Sequence, residues 1–529
     1  MPTSYDIVIV GGGHNGLVAA AYLAGSGLSV LVLERKSVVG GAAISAQVFT
    51  GMDARLSQYA YLVSLLPQKI VRDLKLNFST HRRPIGSFTP TIENGQHKAL
   101  LVSNESPAVT EKSFADMGIS DADYRGYNRF YQLVGQLAKV IWPTLLSPMV
   151  SRDALKQQCQ TEEQKAAWEM FIEQPLGIGI EQSVQHDLVR GVIFTDGKIG
   201  VFTDPHDPSL LQNRTFLYHL IGNETGEWTV PVGGMGALTT ELARVAQSNG
   251  AKILTSATVK SIEPDQPQAI VHYTHENKPQ TVQARFVLVN AAPQVLNQLL
   301  PNPLPIDDAD EGSVFKINML LKRLPKLKAN HYAQEDAFTG TFHIDEGYEI
   351  MIENYRAAAQ GHVGTPISGE MYCHSLTDPS ILSAELQGQG YQTLTLFGLD
   401  IPYRLFNEAN NAELRETILQ KYVQGINRYL DEPLEDCLAI DGNGQPCIEA
   451  KSPLDLENEL KLPTGNIFHT ALSWPFGENA SAWVGKWGVE TAYENILICG
   501  SGAQRGGAVS GIPGHNAAMQ VLELIRATR

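Results

Sequence analysis

The chain has 529 residues, 43% of them apolar and 18% charged, with a formal net charge of −16. This is the balance of an ordinary globular protein of roughly two to four domains with a large core. The acidic excess argues against nucleic acid as a partner and against general attraction to anionic lipid. Cys159, Cys373, Cys437, Cys447 and Cys499 are scattered and form no CxxC, which fits a reduced intracellular protein with neither a disulfide framework nor a redox dithiol.

The first predicted strand contains Ile7, Val8, Ile9 and Val10 and runs into Gly11-Gly12-Gly13-His14-Asn15-Gly16. An alanine-rich helix follows (Ala19, Ala20, Ala21, Ala24), then a strand over Val30, Leu31, Val32 and Leu33 that ends at Glu34. Strand, glycines, helix and acid fall at the offsets of a βαβ dinucleotide unit. Gly11 permits the tight turn, Gly13 lets a pyrophosphate approach the backbone, and Gly16 lets the helix pack against the sheet. The helix N-terminus offers unpaired N–H groups to the phosphates. Glu34 would accept from ribose hydroxyls, which disfavours a 2′-phosphate and hence NADP. Gly40-Gly41-Ala42-Ala43 continues the unit. The first strand starts so early that no signal or transit peptide is expected.

Residues 107–221 read as mainly helical. Their most apolar stretch, 130–150, contains Lys139, Pro143 and Pro148 and fails as a transmembrane helix. Leu133, Leu137, Val140 and Ile141 at helical spacing mark a core-facing helix in preference to one seated on a membrane. Pro231-Val232-Gly233-Gly234-Met235-Gly236 opens a helix with Leu238, Leu242, Val245 and Ala246 inward, stopped by Gly250. Strands are expected at 252–254, 259–263, 269–273 and 286–289. Residues 313–397 are strand-rich, with Phe315, Ile317, Met319 and Leu321 alternating. An amphipathic helix places Leu414, Ile418, Leu419, Tyr422, Ile426 and Tyr429 on one face. The chain closes with a strand at 495–499, Gly500-Ser501-Gly502, Gly506-Gly507, Gly511, and a helix opened by Pro513-Gly514.

Dinucleotide-type segments at three separated places imply one discontinuous domain. The expected fold is α/β: a Rossmann-type FAD-binding domain (1–76, 230–310 and 465–529) with an inserted mixed α+β substrate domain (77–229 and 311–464). FAD is expected over a nicotinamide cofactor because Gly233-Gly234-Met235-Gly236 is not read as following a strand, and no second fingerprint exists for NAD(P)H. The terminal glycines let backbone approach a flat ring, and the last helix would turn its positive end to the flavin N1–C2=O edge.

Residues 11–24 (GGGHNGLVAAAYLA), 34–43 (ERKSVVGGAA), 231–238 (PVGGMGAL), 287–293 (VLVNAAP) and 500–518 (GSGAQRGGAVSGIPGHNAA) resemble the phytoene desaturase/carotenoid ketolase branch of FAD-dependent amine-oxidase-like flavoproteins. With 191–222 and 466–476 they are most similar to the subgroup called pyridine nucleotide-disulfide oxidoreductase domain-containing protein 2. The resemblance implies desaturation of a hydrophobic, polyene, isoprenoid or lipid-like substrate by hydride transfer to flavin N5, in a tunnel that excludes water. Carotenoid ketolation or redox-neutral isomerisation, amine oxidation, and FAD binding without turnover stand as alternatives. The expected FAD contacts are Gly11, Gly13, His14, Asn15, Gly16, Glu34, Arg35, Gly40, Gly41, Ala42, Val259, Ala291, Gly500, Ser501, Gly507, Gly511 and Ile512.

The catalytic candidates are His469, Arg505 and His206. His469 precedes Trp474 and Phe476 and could sit beside the ring or be a packed histidine. Arg505 stands where similar proteins carry His-Pro before three glycines, and would place a cation near the ring; Arg55 is a second candidate for an acidic head group. His206, in Asp204-Pro205-His206-Asp207-Pro208, is either a proton acceptor at a substrate mouth or part of a proline-bounded turn. His219 reads as a satisfied core histidine. No metal cluster and no hydrolase nucleophile motif is read. The expected location is cytoplasmic; peripheral membrane contact, and monomer against homodimer, stay open.

Overall fold

The apolar strand that enters the glycine turn forms the centre of a seven-stranded sheet. In the computed structural model, which describes residues 4–264, 267–304, 311–329 and 331–527, this strand is β1 (Ser4–Val10). The glycine turn delivers α1 (His14–Gly25), and β2 (Val30–Leu33) pairs with β1 in parallel. The antiparallel pair β3 (Ile85–Glu93) and β4 (Gln96–Ser103) then leads to the helical region, whose longest member is α2 (Asp121–Ile141). The chain returns through α3 (Met235–Ser248) to β5 (Lys252–Leu254), β6 (Ala257–Glu263), β7 (Ala269–His275) and β8 (Lys278–Val289). A second sheet receives β9 (Phe315–Leu321), β10 (Thr341–Ile344), β11 (Gly369–Tyr372) and β12 (Gln392–Gly398). Helix α4 (Asn411–Asn427) and β13 (Ile448–Lys451) follow, and the chain ends with β14 (Ile496–Ile498) and α5 (Ile512–Ala527).

The first sheet has the order β6-β7-β8-β1-β2-β5, with β14 beside β8. Its central strands are parallel, as right-handed crossovers require. One face packs on α1, α3 and α5 through Leu17, Val18, Leu238, Leu242, Ala517 and Val521; the other buries Val8, Val10, Leu31, Val271 and Val287. The small residues of α1 let it approach both helices: a Cβ added at Gly514 would stand 2.0 Å from the Asn15 carbonyl oxygen.

The second sheet has the order β13-β9-β12-β11-β10-β3-β4. Alternation at Phe315, Ile317, Met319 and Leu321 predicts a half-buried strand, yet all seven residues of β9 are buried. These four pack with Ile418, Leu419 and Tyr422 of α4, while Lys316 on the opposite face lines an internal cavity. The Gly233 turn also differs from expectation. A two-residue strand, Val230–Pro231, precedes it, but this pairs with Thr80–His81 and lies outside the main sheet.

Helix α2 begins at Ser120, whose side chain accepts from the Asp123 amide. It buries Phe130, Leu133, Leu137 and Ile141 in one cluster with Phe171 and Phe216. Phe130 meets Phe171 edge-on at 5.1 Å. This is a core helix, and no described helix is long and apolar enough to cross a membrane.

Candidate functional site

The end of β1 shows why glycine is needed. Gly11 has φ +99°, its amide donates to Leu33 O at 2.8 Å, and a Cβ there would meet Asn290 O at 2.7 Å. Gly13 caps α1 without a side chain, and a Cβ on it would stand 2.9 Å from Asn290 Nδ2. Asn290 itself holds the turn, donating from Nδ2 to Gly11 O at 3.2 Å. Glu34 folds back over the turn: Oε2 accepts from the Gly12 amide at 2.8 Å and Oε1 from the Lys36 amide at 2.7 Å. Its carboxylate therefore organises the loop as well as facing the cleft.

Packing brings the end of the chain to this loop. Gly500 lies against Asn290 and Ala291, Gly511 against Val18, and Gly514 against Asn15. A cavity of about 820 Å³ opens between these segments and runs on between the second sheet and the helical region. Gly11, Gly13, His14, Glu34, Arg35, Gly41, Ala42, Val259, Ala291 and Ser501 line it. Gly16 and Gly40 lie behind the wall, Gly16 against Gly11 and Asn290, while Gly40 donates to Gly12 O at 2.8 Å. Gly500, Gly507, Gly511 and Ile512 do not line the cavity; Gly507 lies against Leu472 and Gly511 against Ile70 and Val18, while Ala508 and Val509 face the cavity. Asn15 is 1% exposed and does not line the cavity. Gly13 and Gly41, whose Cβ positions would intrude on the turn, leave the bare backbone that a dinucleotide phosphate requires.

Of the catalytic candidates, only His469 reaches the cavity. Burial lowers its pKa to about 4; the same cause, reinforced by His469, lowers His14 to about 4. Two neutral imidazoles thus stand between the glycine loop and the terminal segment. Arg505 requires correction. It is 1% exposed and donates to Thr144 O, Ser147 O and Trp487 O, so it pins the loop after α2 and points away from the cleft. His206 also lies outside the cavity, in a surface turn where Nε2 sits 2.8 Å from Glu181 Oε1. Arg55 is exposed and outside it as well. His219 lines the cavity with Nδ1 on Thr215 O, neutralised by burial to a pKa of about 4.

The inner half of the cavity holds groups that the sequence did not single out. Arg83, before β3, is 7% exposed. Glu370 on β11 is 4% exposed and accepts from the Tyr61 hydroxyl at 3.3 Å. Lys316 on β9 is 2% exposed, with Nζ 3.8 Å from the Tyr61 ring centre and without a hydrogen bond. Burial pushes the Glu370 carboxyl up to about 7 and that of Asp196 up to about 8, and drives the Lys316 ammonium well down. Tyr61, Tyr127, Tyr131, Tyr372 and Phe397 surround them.

Comparison with known proteins agrees with this geometry. Residues 9–68 match the NAD(P)-binding Rossmann-like domain family, and residues 103–380, just over half the chain, match the flavin containing amine oxidoreductase family. An uncharacterized protein of Mycobacterium tuberculosis is 44% identical over 99% of this chain and 98% of its own. The pyridine nucleotide-disulfide oxidoreductase domain-containing protein 2 of Mus musculus is 30% identical over 97% of this chain and 92% of its own. A putrescine oxidase structure superposes with a TM-score of 0.62, 16% identity and 99% coverage of both chains. The chain belongs to the flavin containing amine oxidoreductase family and is an FAD-dependent oxidoreductase.

Proposed function

We propose that this enzyme desaturates a predominantly apolar molecule of polyene, isoprenoid or lipid-like character, bound in the inner half of the cavity. The discontinuous unit built on the first sheet would hold FAD, and the second sheet with the helical region would hold the substrate. FAD, when bound, accepts two electrons as hydride. The protein's part is to place the C–H bond, exclude water and receive the proton lost from the neighbouring carbon. Lys316, buried, without a hydrogen bond and with its ammonium driven toward the neutral form by desolvation, is the group for that proton.

One observation carries the reading. The cavity does not stop at the glycine loop but continues between Val192, Ile199, Tyr127, Tyr131 and Phe397, walls that a dinucleotide alone does not need. Amine oxidation is the second reading, favoured by the family and by the carboxyl groups of Asp196 and Glu370 in the same wall. Anaerobic mixing of the FAD-loaded protein with apolar polyenes and with amines separates them. Flavin bleaching with a product lighter by two hydrogens from the polyene supports desaturation. Bleaching only by amines replaces it with the second reading.

A further inference from the structure

We propose that Arg83 receives a carboxylate on the substrate, so that the molecule oxidised here is an apolar chain or ring system ending in an acid. The inference rests on the assignment of the inner cavity to the substrate.

Arg83 is a permanent cation taken almost wholly out of water. Its Nε donates to Trp228 O and its Nη1 to Thr341 Oγ1, both at 3.2 Å and both neutral acceptors. Nη2 makes no hydrogen bond, and no carboxylate stands within ion-pair distance of the guanidinium among the described residues. The group lies in the cavity wall, over the Tyr372 ring at 5.5 Å. A buried guanidinium with a free edge is stabilised by an anion with two acceptor oxygens.

The surroundings suit an anion more than a cation. Lys316 lines the same wall with an unpaired amine. Asp196 and Glu370 also face the cavity; burial keeps Asp196 largely protonated at neutral pH and raises Glu370 to about 7, where it is partly so. Glu346, which does not line the cavity, has neither carboxyl oxygen hydrogen-bonded, lies 3.8 Å from His343 Nε2, and burial pushes its pKa well up. His343, on the same sheet, is held neutral by burial. In that state Asp196 is a neutral donor, Glu370 is partly ionised, and Arg83 keeps its full charge. An ammonium would have to enter beside that charge.

The test uses the full-length protein loaded with FAD. Decanoate, decanol and decylamine are titrated at neutral pH, following the flavin spectrum and the heat of binding. Decanoate is expected to bind at least about tenfold more tightly than decanol, with decylamine weakest. Arg83→Gln, checked for unchanged FAD content, should remove the decanoate preference and leave decanol unaltered, while Arg83→Lys restores part of it. As pH rises through about 7 and then 8, the wild-type affinity for decanoate should fall as first Glu370 and then Asp196 become anions. Equal binding of all three ligands, or tightest binding of decylamine with loss of that preference in Asp196→Asn, overturns the proposal. If Arg83→Gln fails to fold, the wild-type ligand order and its pH dependence still decide it. A retained decanoate preference without oxidation of any acid or polyene would defeat the desaturase reading while leaving carboxylate recognition in place.

Discussion

Gly514→Ala tests the contact that closes the dinucleotide site. Gly514 lies in the first turn of α5, and its added Cβ would fall 2.0 Å from Asn15 O, 2.9 Å from Asn15 C and 3.1 Å from Val18 Cβ. Alanine raises helix propensity by up to about 1 kcal/mol over glycine. Against this, the clash is with the backbone of α1, which cannot rotate away as a side chain can. Relief requires moving α5 from α1 by more than 1 Å, and such overpacking costs about 1–3 kcal/mol. The clash therefore outweighs the propensity gain. Because His14 on α1 and Ala508 ahead of α5 share the cavity wall, the displacement widens the dinucleotide end. If it is expressed in binding, FAD affinity falls by about fivefold to a hundredfold. Titration of the apoprotein with FAD, followed by flavin fluorescence, gives that number, and urea unfolding gives the stability change. An alanine variant that binds FAD as tightly as wild type and unfolds at higher urea would refute the argument that this helix pair holds the site closed.

Glu34→Ala leaves the Gly12 and Lys36 amides without their acceptor, a loss of about 1–3 kcal/mol that should appear as weaker FAD binding in the same titration. Lys198 and Asp400 form an ion pair at 2.5 Å with side chains 0% and 1% exposed. Lys198→Met should cost about 3–5 kcal/mol in urea unfolding, and the double variant with Asp400→Leu should recover much of it. Lys316→Met should lower the rate of anaerobic flavin reduction by about a hundredfold or more while FAD binding stays intact. For Asp196, the folded pKa of about 8 exceeds the usual carboxylate value, so the unfolded chain loses its proton first as pH rises. This group's effect is therefore a loss of stability from the ordinary carboxylate range up to about pH 8, and Asp196→Asn should be the more stable protein at alkaline pH.

What the sequence revealed and what it hid divide along a physical line. The glycine turn, β1, β2 and α1 were legible because their constraints are local: a positive φ at Gly11 and an apolar run leave one arrangement. The meeting of the terminal glycines with that turn was inferred from three separated segments needing one partner, and Gly514 on Asn15 shows the contact. Arg505 was misplaced because a cation beside glycines looks like a ligand for the ring. Its side chain instead satisfies two carbonyls just after α2, those of Thr144 and Ser147, and that of Trp487, a demand visible only once α2 is folded against it. The polar wall was hidden for a related reason. Lys316 and Asn318 alternate with Phe315, Ile317 and Met319, a pattern that normally sends the polar face to water. Here that face is covered: Asn318 donates to Gln58 O and Glu449, and Lys316 lies against Tyr61 from the segment following the glycine turn. A lysine in a strand that could have reached solvent but is 2% exposed demands compensation, and here it has the Tyr61 ring and the neighbouring Glu370 and Glu449 without a hydrogen bond. Arg83 makes the same demand from the neighbouring wall. The free edge of Arg83 and the raised carboxyls of Asp196 and Glu370, on which the proposed recognition of the substrate's polar end rests, show themselves as one wall only once these strands and loops are packed together.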